Sequence, residues 1–536
     1  MTLREVNGVH LNGDAANGVT NGSAADVDQD KHLHLDAVIV GAGFSGICSL
    51  HHLRKLGLKA KIFEQGNEIG GVWHWNRYPG ARVDSESPLY MFHIPELWNK
   101  FKYKERFPDA KELRRYLNYA SDTLELKKDV YFHSKVIHAQ FNKATGRWTV
   151  KTNAGHTATA KYLVMCVGLL HNSYTPDIAG MGDFRGDIYH SSNWPKDYSV
   201  KGKKVALIGA GATAVQITQE VAKEADHLDV YIRKISFCLP MHQREYREDE
   251  YLQYKAYYHS FFAASKKSRV GFPVQGPNCG VFDVTPEERE EHWELGWASG
   301  AANFGLSQYN DVLINPEANR LAYDFWAKKI RARMTDPKKR DFMAPLEPPY
   351  YYGTSRSPLE GDYYESLDRP NVDIIDVRNQ GWRFNETGIT TDDGISREYD
   401  VVILATGFDS FTGSFTHMGL KNVDGVDMKE LWEGGIHTYL GMFAHGFPNM
   451  FMICAPQAPT AFTNNPTLME CQWDLLEDVV RKMQDDKIKY IEPILEAEEG
   501  WRHKVTSATD GTLFPYTRTW WNGGNIAGKK VENMTS

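Results

Sequence analysis

The chain has 536 residues, 42% of them hydrophobic and 24% charged, and its 61 basic and 69 acidic side chains give a formal net charge of -8. At roughly 150 residues per domain this is about three or four domains' worth of chain, and the composition excludes a fibrous, collagen-like or wholly disordered protein. The acidic balance gives no footprint for a nucleic-acid partner, whereas 45 glycines and 12% aromatics suit a protein that packs planar ligands against backbone.

Residues 1–34 carry Asn-Gly pairs beginning at Asn7, Asn12, Asn17 and Asn21 and little apolar bulk, which predicts a disordered tail. No basic stretch followed by an apolar run is present there, so no secretory signal is predicted. Ala37-Val38-Ile39-Val40 then reads as a strand. Ile47, Leu50, Leu53 and Leu56 recur at helical spacing, Gly57 can stop that helix, and Ala60–Phe63 reads as a second strand. Between the first strand and the helix lies Gly41-Ala42-Gly43-Phe44-Ser45-Gly46, a GxGxxG fingerprint. Glycines in this context let a pyrophosphate approach the backbone at a helix N-terminus, and Glu64 at the end of the next strand offers a carboxylate to ribose hydroxyls.

The same order returns with Val205–Ile208 as strand, residues 212–223 as helix and Leu228–Ile232 as strand, around Gly209-Ala210-Gly211-Ala212-Thr213-Ala214. Here the second strand is followed by Arg233 and Lys234, a cation pair that suits a 2′-phosphate. An acid at the first unit and bases at the second predict FAD first and NADPH second, hence hydride transfer. Residues 241–350, rich in Tyr, Phe, Lys and Glu and including Trp293 and Trp297, are predicted to form a largely helical insertion. Residues 434–469 contain no Lys, Arg, Asp or Glu, but Pro448, Pro456, Pro459 and Pro466 argue for buried loop and short strand rather than a membrane span. The six cysteines form no CxxC pair and sit mostly in apolar runs, as buried thiols of a reducing, cytoplasmic compartment do.

Longer motifs carry a family resemblance. They are Phe184-x-Gly186-x-x-x-His190-x-x-x-Trp194-Pro195 and Gly71-x-Trp73-x-x-x-x-Tyr78-Pro79-Gly80-x-x-x-Asp84. Ala405-Thr406-Gly407 after the apolar run Val401–Leu404, and the closing segment Trp520–Lys529, add to them. Together, from about residue 36 to 530, the sequence resembles the flavin-dependent Baeyer–Villiger monooxygenases.

That resemblance implies an α/β fold with two Rossmann-like dinucleotide-binding domains, nested rather than sequential. An FAD domain would comprise 35–175 and 396–536, an NADP domain 176–240 and 351–395, and the helical insertion 241–350. The implied reaction takes NADPH and O2 and inserts one oxygen atom next to a ketone carbonyl through a flavin C4a-peroxide, giving an ester or lactone. Arg356, ahead of Tyr363-Tyr364-Glu365, is the implied peroxide-stabilising cation, and Asp84 would orient it. Trp73 and Tyr78 would line the flavin and Trp520 the nicotinamide or substrate side. His190 would couple domain movement rather than transfer a proton, and Trp194 would anchor packing. Where the family has a lysine before the arginine this sequence has Ser355, so Lys234 becomes the candidate for the 2′-phosphate. Two other readings stay open: oxygenation of sulfide or amine heteroatoms, and an uncoupled oxidase or non-oxygenating flavoprotein. The implied partner is a small-molecule ketone bound by a monomer, with no nucleic acid and no membrane.

Overall fold

Two sheets, the larger mixed and the smaller parallel, each grow around one of the glycine fingerprints. The structure is a computed structural model and describes residues 32–459 and 463–534. In the larger sheet the spatial order is Leu420–Lys421, Val136–Asn142, Arg147–Thr152, Thr157–Met165, His32–Val40, Ala60–Phe63 and Val130–Tyr131. Met450–Met452 also pairs with the end of Thr157–Met165. His32–Val40 lies between two parallel neighbours. Its last four residues, Ala37 to Val40, are buried on both faces, which is why they read as an unbroken apolar run.

This strand begins at His32, inside the segment expected to be tail. His-Leu-His-Leu at 32–35 alternates with period two and pairs with Thr157–Ala160, so the strand extends over polar sequence. The tail expectation for residues 1–31, with its Asn-Gly pairs, lies outside the described residues.

The smaller sheet has five parallel strands in the order Val372–Asp376, His227–Ile232, Lys204–Ile208, Val401–Leu404 and Asp187–His190. Val401–Leu404 therefore belongs with the second fingerprint, and the boundary expected at 396 falls too early. The chain rejoins the first sheet only at Leu420–Lys421. A four-residue apolar run buried on both faces fits either sheet equally, so its partners could not be read from its composition.

Residues 241–350 form helices, among them Pro286–Ser299 and Pro316–Arg331, started by Thr285 and Asn315 as side-chain caps. Trp293, Trp297, Phe304, Phe325 and Trp326 pack there into a core shared with Phe237 of the second fold. The charge-free stretch 434–469 supplies the strand Met450–Met452 and the first turn of a 21-residue helix, Asn465–Asp485. This helix packs on Phe44–Lys55, where Trp473 Nε1 donates to Ser49 Oγ at 3.0 Å. Among the described residues no helix is long and apolar enough to cross a membrane.

Candidate active site

Both fingerprint loops open into one cavity of about 640 Å³, within the usual range for ligand pockets. Gly41, Gly43, Phe44 and Ser45 line it from the first fold, and Gly211, Ala212 and Thr213 from the second. The helices Phe44–Lys55 and Ala212–Glu224 start at Gly43 and Gly211, and neither glycine's position offers a capping side chain. The N–H groups of both first turns are thus left to a ligand. A Cβ at Gly211 would meet nothing within 4 Å, so the trough there is room for a bound group. Gly46 serves the loop itself, since a Cβ there would lie 1.9 Å from the Gly41 carbonyl oxygen. Gly71 has φ +55°, and its Cβ would lie 2.9 Å from Gly43 Cα, so these two loops touch backbone to backbone. Gly209 likewise passes against Ala405, whose carbonyl oxygen would be 2.5 Å from a Cβ. The donor set and the glycine-lined space fit a dinucleotide pyrophosphate at each helix start.

Glu64 lines the same cavity. Its carboxylate accepts the N–H groups of Ala42 and Gly66, each at 2.7 Å, and burial pushes its pKa up against those two bonds. A carboxylate has lone pairs beyond these two for a hydroxyl ligand. Trp73 and Tyr78 also face the cavity. Trp73 Nε1 donates to Tyr90 Oη at 3.2 Å, and Tyr78 Oη donates to Gln216 Oε1 at 2.8 Å. Burial pushes the Tyr78 phenol up to about 12.

Arg356 and Asp84 meet on the cavity wall. Nε and Nη2 of Arg356 donate to the same oxygen, Asp84 Oδ2, at 2.9 and 2.7 Å. Asp84 closes the loop that begins at Gly71, and Arg356 comes from the chain between the insertion and the second sheet, so two remote segments fix one cation. Ser355 lines the wall beside it. Trp520 reaches the cavity while stacked on Phe411, with ring centroids 5.7 Å apart.

Other expected residues lie elsewhere. Arg233 is exposed at the end of its strand. Lys234 Nζ donates to the Arg518 carbonyl at 3.0 Å and sits 4.0 Å over the Tyr350 ring, off the cavity. Burial, then the charge of Arg233, pull the Lys234 pKa down to about 8. Phe184 packs with Phe384, and Gly186 makes room for it, because a Cβ would lie 2.5 Å from the Phe184 ring. His190 ends the edge strand Asp187–His190; its Nδ1 accepts the Ser192 N–H at 3.2 Å, and burial holds its pKa near about 4. It packs edge-on against Phe408, which does line the cavity. Trp194 is buried against Tyr189 and Tyr198. The aromatic insertion contributes nothing to the cavity wall; Cys454, Thr463, Asn465 and Met469 from the charge-free stretch do. The sequence reading missed Gln216, whose only signal is an amide, three residues before a second one at Gln219, in a helical run.

A family model described as flavin-binding monooxygenase-like matches residues 35–259. The chain is 41% identical over 505 residues to a FAD-binding monooxygenase of Aspergillus aculeatus, spanning 94% of this chain and 85% of that protein. It is 38% identical over 502 residues to the cyclopentanone 1,2-monooxygenase of a Comamonas species, spanning 93% of this chain and 91% of that one. Its fold matches cyclohexanone monooxygenase from Rhodococcus sp. Phi1 bound to NADP+, with a TM-score of 0.90, 32% identity and 94% of each chain covered.

Proposed function

This chain belongs to the flavin-dependent Baeyer–Villiger monooxygenases, and from that premise we propose that it uses FAD, NADPH and dioxygen to convert a ketone into an ester or lactone. Gly41, Gly43, Phe44 and Ser45 would hold the FAD pyrophosphate, Glu64 a ribose, and Trp73 and Tyr78 would flank the cofactor. Gly211, Ala212 and Thr213 would hold the pyrophosphate of NADPH. Bound FAD, once reduced by NADPH, supplies the activation of dioxygen.

The observation that carries the reading is the Arg356–Asp84 pair on the wall between the two fingerprints. Two N–H donors on one carboxylate oxygen fix the guanidinium. It is a preorganised positive charge for the oxyanion that develops when a ketone carbonyl is attacked. Phe44, Trp73, Tyr90, Met469 and Trp520 give the same wall an apolar face that limits water. His190 keeps its place at the end of the edge strand, beside Phe408, as a residue that follows movement of the second sheet. With Ser355 in place of a lysine and Lys234 turned onto Tyr350, Arg233 is the exposed cation assigned to the 2′-phosphate.

The test is NADPH consumption and product analysis with cyclic, linear and polycyclic ketones, a sulfide and an amine. Ester or lactone is the expected product. Sulfoxide or N-oxide without any ester would move the enzyme to the heteroatom oxygenases, and peroxide equal to NADPH with every substrate would make it an oxidase. Arg356→Ala should lower ester formation by about 10²–10³ while flavin content stays that of the wild type.

A further inference from the structure

Behind the cavity, the helix of the first fingerprint and the long C-terminal helix bring together Cys48, His52 and Glu470. None of the three lines the cavity, and all are buried, at 0%, 6% and 6% exposure. Cys48 and His52 are four residues apart on Phe44–Lys55 and therefore share a face. Glu470 reaches them from Asn465–Asp485. The thiol, imidazole and carboxylate ligand atoms lie within 4.8 Å of one another.

We propose that Cys48, His52 and Glu470 form a buried site for one zinc-like divalent ion, which ties the N-terminal fingerprint helix to the C-terminal helix. The orientation of His52 is the first argument. Its Nδ1–H donates to Glu477, on the same C-terminal helix, and its ring stacks on Trp473 at 5.1 Å and 4°. Its Nε2 therefore faces Glu470 in the cluster, where it is buried without a hydrogen-bond partner. A carboxylate behind a histidine whose other nitrogen is free is the usual outer support of a metal-bound imidazole.

The spacing is the second argument. Nε2 of His52 and Oε2 of Glu470 are 3.6 Å apart, too far for a hydrogen bond. Two ligands held at about 2.0–2.2 Å on one tetrahedral ion stand roughly 3.3–3.6 Å from each other. The other oxygen of Glu470 accepts the His93 N–H at 3.2 Å, which orients the carboxylate. The His93 ring carries two more buried nitrogens without a partner, next to this same carboxylate.

Charge is the third argument. A thiolate, a carboxylate and a divalent cation sum to zero, so a filled site adds no net charge to the interior. On binding, the Cys48 thiol releases its proton to solvent and its sulfur becomes the ligand. A Cys, His and Glu set selects zinc-like ions over calcium or magnesium, which take oxygen ligands. The proposal does not rest on the oxygenase reading.

The experiment uses untagged, flavin-loaded full-length protein dialysed against a weak chelator. Elemental analysis should find about one zinc per chain, and X-ray absorption at the zinc edge should show one sulfur at about 2.3 Å. Cys48→Ser should abolish the sulfur shell and weaken zinc binding at least about tenfold. Should that variant not fold, stoichiometry and the sulfur shell of the wild type decide alone. Protein without zinc that takes up no added zinc overturns the proposal and leaves a plain histidine–carboxylate pair. Zinc bound without a sulfur ligand, or unaffected by Cys48→Ser, overturns it as well.

Discussion

Arg233 and Lys234 are neighbours in sequence with separate fates in the structure. The backbone turns Lys234 back onto Tyr350 and the Arg518 carbonyl, while Arg233 stays in solvent. Arg233→Ala should therefore raise KM for NADPH several-fold and leave KM for NADH unchanged. Lys234→Ala should lower Tm with little effect on the ratio of the two constants. Steady-state kinetics with both nucleotides checks this; equal KM changes for NADPH and NADH in Arg233→Ala would refute the assignment. His190 gives a pH prediction. Burial holds its folded pKa at about 4, against about 6.5 in an unfolded chain. Between those values the unfolded chain binds a proton that the folded chain refuses. Stability is therefore lost as pH falls from 6.5 to 4, by up to about 1.4 kcal/mol per unit from this group. His190→Gln should flatten the fall of Tm over that window relative to wild type, and parallel melting series from pH 7.5 to 4.5 would show whether it does.

At the scale of elements, the two strand–glycine–helix units could be read from sequence because their signals are local. Ala37–Val40 and Val205–Ile208 are apolar runs that stop at a glycine, and the helices after them bury most of their residues. The Arg356–Asp84 pair was reachable only through motif resemblance, because its 272-residue separation leaves no local trace. The assignment of Val401–Leu404 to the wrong sheet has the same origin: composition fixes that a strand is buried, and only tertiary pairing fixes between which neighbours. The helix Asn465–Asp485 went unread because Pro466 and a run of Asn and Thr open it, although Pro at the first helical turn is well tolerated. The aromatics of 241–350 gave no sign of whether they faced a ligand or one another; Trp293 and Trp297 are buried in the core that the insertion shares with the second fold.

For the whole molecule, the decisive geometry is how the loop 78–84 joins the two folds. At its far end Asp84 holds Arg356; at its near end Gln216 holds the loop onto Ala212–Glu224. Gln216 Oε1 accepts Tyr78 Oη at 2.8 Å and the Arg82 N–H at 3.4 Å, and its Nε2 donates to the Arg82 carbonyl at 3.0 Å. Gly80 lies flat on that helix, since a Cβ would be 2.7 Å from the Gln216 carbonyl oxygen. One loop thus links the helix of the second fold, through Gln216, to Asp84 and its partner Arg356. Gln216→Leu keeps the volume but removes the acceptor of the Tyr78 hydroxyl, which then keeps only Thr213, and both side-chain partners of the Arg82 backbone, which costs about 1–3 kcal/mol. The expected result is a lower Tm, wild-type flavin content and fewer molecules of product per NADPH oxidised, because a loosely aimed Arg356 guards the oxygenation step less well. Gln216→Glu, which keeps the acceptor for Tyr78, should recover more of that coupling than Leu does. Lowered Tm with unchanged product per NADPH would reduce Gln216 to a packing contact and leave Asp84 to aim the arginine unaided.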